Sequence, residues 1–86
     1  MIRVRAVGHI RTSLGAETLE IEEKDIGAGE LIDRLRESAS KDSRVGFTRF
    51  NTLIVVNGGE AFTAAASERR LKDGDEVVLL PFSHGG

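Results

Sequence analysis

Between residues 28 and 39 the apolar residues recur at helical spacing, and on both sides of that stretch they alternate or run together as they do in strands. Ala28, Leu31, Ile32, Leu35 and Ala39 fall on one helical face, while Glu30, Asp33, Arg34 and Glu37 fall on the other. A helix with one apolar stripe has to bury it against another element, and here only strands are on offer. This constrains the chain to one main helix packed on a sheet. The connector over 24–29 holds two glycines, and glycine is a tolerable N-cap. Glu30 and Asp33 suit the positive end of a helix dipole.

The strand signals are placed accordingly. Ile2, Val4 and Ala6 alternate with Arg3, Arg5 and Val7 at period two. Leu14-Gly15-Ala16 reads as a turn, and Glu17 to Glu22 alternates again, which predicts a hairpin. Residues 41–51 break the pattern and read as a loop. Thr52 to Val56 is largely apolar and β-branched, as in a central strand buried on both sides. Asn57-Gly58 is a strong hairpin signal leading into a short strand over 60–63. Residues 64–70 fit a helical turn or a loop. Asp73-Gly74 is a further turn before a last strand over 76–82. Pro81 lacks an N–H, so regular pairing is expected to fade there. The order predicts an α+β fold of the β-grasp, ubiquitin-like kind. Its mixed sheet has four to five strands, with the first and last side by side and parallel. The domain is expected over 1–80, with a flexible tail over 81–86 ending in Gly85-Gly86.

Eighty-six residues make one small domain. With no cysteine there is neither a disulfide nor a thiol nucleophile. Two histidines, His9 and His84, are too few for a zinc site of usual ligand count, so no metal is expected. The formal charge of −2 argues against a nucleic-acid partner or a membrane surface. The apolar run Val77 to Leu80 is too short to span a bilayer, and the first residues lack a signal-peptide stretch. A cytoplasmic location is expected.

Leu71-Lys72-Asp73-Gly74-Asp75-Glu76-Val77, the Asn-Gly turn, the element order and the diglycine together resemble the ubiquitin-like sulfur carriers. That group includes the small subunit of molybdopterin synthase, the thiamine-pathway sulfur carrier, the small archaeal modifiers and the ubiquitin-related modifier. The resemblance covers essentially the whole chain, loosely over 1–57 and closely over 71–86. Pro81-Phe82-Ser83-His84 departs from the molybdopterin-synthase type, which often has Pro-Pro and a small residue before its diglycine. The ending His84-Gly85-Gly86 looks more like the ubiquitin-related modifier.

The resemblance implies adenylation of the Gly86 carboxylate by a ubiquitin-activating-type enzyme that uses ATP and magnesium. The acyl adenylate then accepts sulfur, giving a thiocarboxylate on Gly86, or meets a lysine amine, giving an isopeptide bond. The implied sulfur acceptors are the large subunit of molybdopterin synthase or a tRNA thiolase. The implied targets of the modifier are lysines of other proteins. An ionised carboxylate is a poor electrophile, so activation has to come first. Gly85 lacks a Cβ and suits a narrow channel that Ser83 and His84 also enter. From Pro81 onward an extended segment reaches at most roughly 16–18 Å beyond the sheet.

Strand parity points Val7, Val78, Leu80 and Phe82 away from the helix, and an apolar patch there marks a docking face. In the resembling families this face meets the activating enzyme. A plain β-grasp binding module, with an incidental tail, is the remaining alternative. Residues 44–50 interleave Arg44 and Arg49 with Phe47 and Phe50, as in single-strand binders. A loop pinned to the core by both phenylalanines explains them better. Gly27-Ala28-Gly29 lacks the lysine and spacing of a phosphate loop. Asp73 and Asp75 are better explained by turn chemistry than by a metal. No nucleophile and base pair up, so the chain is expected to be acted on rather than to catalyse.

Overall fold

The computed structural model describes residues 1–39, 47–66 and 68–82. Strand β1 (Ile2–Ala6) alternates buried and exposed residues along its whole length. It is followed by a seven-residue helix α1 (Gly8–Leu14), strands β2 (Thr18–Ile21) and β3 (Asp25–Gly27), and helix α2 (Ala28–Ser38). After the loop come β4 (Thr52–Val56), β5 (Glu60–Thr63), a 3-10 turn (Ala64–Ala66), β6 (Arg70–Lys72) and β7 (Glu76–Pro81).

Five strands make one sheet in the order β2-β1-β7-β4-β5, and β3 pairs with β6 in a small second sheet. β1 and β7 are parallel at the centre, and the other pairings of the main sheet are antiparallel. Helix α2 lays Leu31, Ile32 and Leu35 into a core with Ile2, Val4, Ile54, Val77 and Leu79. This is the β-grasp arrangement, with the expected parallel first and last strands.

Three local expectations are corrected. The first two strands are not joined by a tight hairpin: α1 intervenes, buries Ile10 and Ser13, and ends on Gly15 at φ 74°. Its first residue, Gly8, has φ 63°, and a Cβ there would lie 2.9 Å from Pro81 Cγ. Only glycine meets both demands, and they bring α1 against the end of β7. Residues 24–29 are more than a connector, because β3 forms there and pairs Asp25↔Lys72, Ile26↔Leu71 and Gly27↔Arg70. Finally, β4 is not buried on both sides. Thr52, Ile54 and Val56 are buried, whereas Leu53 and Val55 are half-buried on the opposite face.

The turn signals hold. Asn57 (φ 50°) and Gly58 (φ 72°) both take left-handed angles between β4 and β5. Asp75 accepts the Lys72 N–H at 2.8 Å and the Asn57 side-chain amide at 3.2 Å. The Asp73-Gly74-Asp75 segment is thereby occupied with turn chemistry. The Asn57 side-chain oxygen in turn accepts the Glu76 N–H at 2.9 Å, so the turn and the hairpin together fix the start of β7.

Candidate functional site

The registers of the main sheet generate two faces from the same strands. In one row facing α2, Leu19, Val4, Val77 and Val56 lie side by side; in the next, Ala6, Leu79, Ile54 and Phe62 do. On the opposite face the rows are Thr18, Arg5, Val78, Val55 and Ala61, and then Leu80, Leu53 and Thr63. Leu53, Val55, Val78 and Leu80 stay half-buried and take no part in the core cluster. They form an apolar strip across β7 and β4.

Toward β1 and β2 the same face becomes charged. Arg3 pairs with Glu76 at 3.1 Å and Arg5 with Glu17 at 3.4 Å. Between these pairs lies an open depression of about 540 Å³, lined by Arg3, Arg5, Glu17, Thr18, Glu76, Val77 and Val78. The face therefore offers an apolar strip with a charged margin, which is the usual make-up of a recognition surface.

Val78 and Leu80 stand on this face, as their parity requires. Val7 lies beyond the end of β1. It is the N-cap of α1, still extended at φ −128° and ψ 162°, and its N–H donates to the Leu79 carbonyl at 3.2 Å. That is one step past the last ladder pair, Ala6↔Leu79, so Val7 follows onto the Leu80 row. Phe82 is half-buried, and its N–H donates to the Asn51 carbonyl at 2.7 Å. β7 thus carries regular pairing through Pro81, opposite Thr52. Ser83, His84, Gly85 and Gly86 lie outside the described residues, as do Arg44, Val45 and Gly46.

The loop expectation divides at this point. Phe47 is fully buried, but Phe50 is 67% exposed, so only one of the two phenylalanines pins the loop. Arg49 is held by Asp33 of α2, whose hydrogen bond and charge raise the guanidinium pKa above its ordinary value. Glu23 does the same for Arg34. Neither pair belongs to the open face.

Leu53 and Val55 are the face residues that the sequence reading missed. The signal lay in the hairpin: once Asn57-Gly58 sets the turn, Thr52, Ile54 and Val56 share one side and the two residues between them share the other. Among the described residues, no group of three or more His, Asp or Glu side chains is disposed to hold a metal. No described helix is long and apolar enough to cross a membrane.

Comparison with solved structures returns chains of the same shape. Small archaeal modifier protein 1 (SAMP1) from Haloferax volcanii superposes with a TM-score of 0.65 at 19% identity, covering 99% of this chain and 98% of that one. The same modifier from Methanosarcina acetivorans gives 0.66 at 20% identity, covering 99% and 95%. A chain of the BexX/CysO complex of Amycolatopsis orientalis gives 0.66 at 22% identity and covers both chains completely. At such identities the likeness shows the fold alone, which is shared over nearly the full length. No family model matches the sequence. No curated protein matches it either.

Proposed function

We propose that the protein is a ubiquitin-like sulfur carrier that acts through the carboxylate of Gly86. The observation that carries this reading is the open apolar face centred on β7, the strand that leads into the diglycine segment. A partner that covers Val78, Leu80 and Phe82 stands beside the place where the chain leaves the sheet. Docking and delivery of the carboxylate are then one event, and the number of residues between the sheet and Gly86 sets the reach that positions it.

The chemistry belongs to an adenylating partner that holds ATP and magnesium. The Gly86 carboxylate attacks the α-phosphorus and pyrophosphate leaves. A sulfur nucleophile then displaces AMP from the acyl adenylate, giving the thiocarboxylate, which passes its sulfur to an accepting enzyme of the molybdopterin or tRNA-thiolation kind. Ser83, His84 and Gly85 are the residues that enter the partner's passage ahead of Gly86. The chain itself supplies the acyl group and the docking face and contributes no catalytic residue. That a chain of this shape occurs in the BexX/CysO complex supports a domain that works docked on another protein.

A second reading shares every step up to the adenylate. In it a lysine amine of a target protein takes the acyl group, and Gly86 ends in an isopeptide bond. The occurrence of small archaeal modifier protein 1 among the chains of this shape favours keeping it. Intact mass from cells separates the two, since one leaves sulfur in place of oxygen on Gly86 and the other leaves a Gly86 remnant on lysines.

The test of both is ATP–pyrophosphate exchange with the host's adenylating enzyme, comparing a chain whose free carboxylate is on Gly86 with one ending at Gly85. One residue is about 3.3–3.6 Å of reach. The shortened chain should lose exchange and keep its unfolding midpoint. Equal exchange by both chains would reject carrier and modifier together and leave a plain binding module.

A further inference from the structure

Phe50 exposes more of its surface than any other large apolar side chain among the described residues. It sits at the tip of the turn Thr48-Arg49-Phe50-Asn51, and that turn is fixed from several directions. The Asn51 side-chain oxygen accepts the Thr48 N–H at 2.7 Å, and the Phe50 N–H donates to Thr48 Oγ1 at 3.1 Å. Thr52 Oγ1 donates to the Thr48 carbonyl at 2.7 Å. On the helix side, Arg49 reaches Asp33, and its guanidinium lies against Gly29, where a Cβ would come within 2.8 Å of Arg49 Cζ. Just before the turn, Phe47 is locked in the core. At its end, the Asn51 carbonyl accepts the Phe82 N–H, and just after it Thr52 pairs with Pro81.

The turn is therefore clamped between α2 and the end of β7, and it holds an aromatic ring in water beside the exit of the chain. We propose that Phe50 is a binding anchor for the adenylating partner, seated in an apolar socket next to the passage that receives the segment after Phe82. The proposal rests on the carrier reading above. It commits to that partner because the turn abuts the end of β7, where the Asn51 carbonyl accepts the Phe82 N–H and Thr52 pairs with Pro81. A protein that takes the segment after Phe82 meets the turn beside it. A rigidly mounted aromatic loses little conformational freedom on binding, and such residues carry a large share of interface energy. A nucleic-acid strand is disfavoured as occupant, because Phe47 is buried and Arg49 is engaged by Asp33, which among the described residues of this stretch leaves no row of rings and free cations.

The experiment uses the full chain with Gly86 free and the purified host adenylating enzyme. Phe50→Ser is compared with wild type in binding affinity and in ATP–pyrophosphate exchange at varied carrier concentration. The expected result is a Kd and a KM raised about tenfold or more, with kcat at saturation unchanged. In the wild-type complex, the amides of residues 48–51 gain protection from hydrogen exchange, a readout that needs no variant to fold. Phe50→Ser with wild-type Kd, or no added protection of the turn, overturns the proposal and leaves the carrier reading standing. No exchange by wild type overturns both. Binding of single-stranded RNA that Phe50→Ser abolishes, with enzyme affinity unchanged, also overturns it.

Discussion

Two leucines adjacent on β7 have opposite surroundings. Leu79 is fully buried between Ala6 and Ile54, under the helices. Leu80 is half-buried beside Leu53, on the face that no described element covers. The residues are of one type and share a strand, yet one holds the domain together and the other is available to a partner. A short sheet with helices on one side can divide its work this way, because successive side chains point to opposite faces.

Leu79→Ala is the harshest way to probe the covered face. It removes packing from the centre of the core and leaves a cavity, at a cost of about 2–5 kcal/mol. Against the roughly 5–15 kcal/mol available to a typical domain, that is a large share. Urea unfolding should show a lower midpoint with little change in slope. A loss below about 1 kcal/mol would mean that the two leucines differ less than their burial indicates.

Leu80→Glu is the complementary change. A charge placed on the open face remains hydrated, so the unfolding free energy should change by no more than about 1 kcal/mol. The same charge buried would unfold the domain. Affinity for the adenylating enzyme should fall sharply, as read by calorimetry or by the KM of exchange. A folded variant that binds normally would remove Leu80 from the interface, and an unfolded one would reverse the assignment of faces.

The division between faces was legible from parity in β1 and β7, where Arg3 and Arg5 mark the outside and Ile2, Val4 and Ala6 the inside. It was hidden in β4, because Leu53-Ile54-Val55-Val56 is apolar throughout and a uniform run has no phase of its own. Its phase comes from the hairpin that follows it. Helix α2 was legible because five residues mark its stripe. Helix α1 was not, since its inward side is Ile10, the polar Ser13 and a half-buried Leu14, and two apolar residues in a seven-residue run leave the helical spacing unmarked. β3 and β6, three residues each, are too short to alternate and exist through their mutual pairing. Phe47 and Phe50 look alike in sequence, and the turn that turns one inward and the other out depends on side-chain bonds from Thr48 and Asn51.

The charged margin of the open face yields the smallest effect. Arg3 and Glu76 are more than half exposed, and their pair spans 3.1 Å between β1 and β7. Exposed pairs of this kind contribute about 0–1 kcal/mol, since water and salt weaken the attraction and ordering two long side chains opposes it. A double-mutant cycle of Arg3→Ala and Glu76→Ala should give a coupling near the low end of that range. It should vanish at 1 M salt, where screening acts over about 3 Å. Their influence should appear in binding instead. Charges at the rim of an interface steer encounter, so Arg3→Ala should change the association rate and its salt dependence while leaving dissociation almost untouched. Stopped-flow measurements at several ionic strengths read this directly. A coupling above about 1 kcal/mol would make the charged margin a structural element rather than part of the recognition surface.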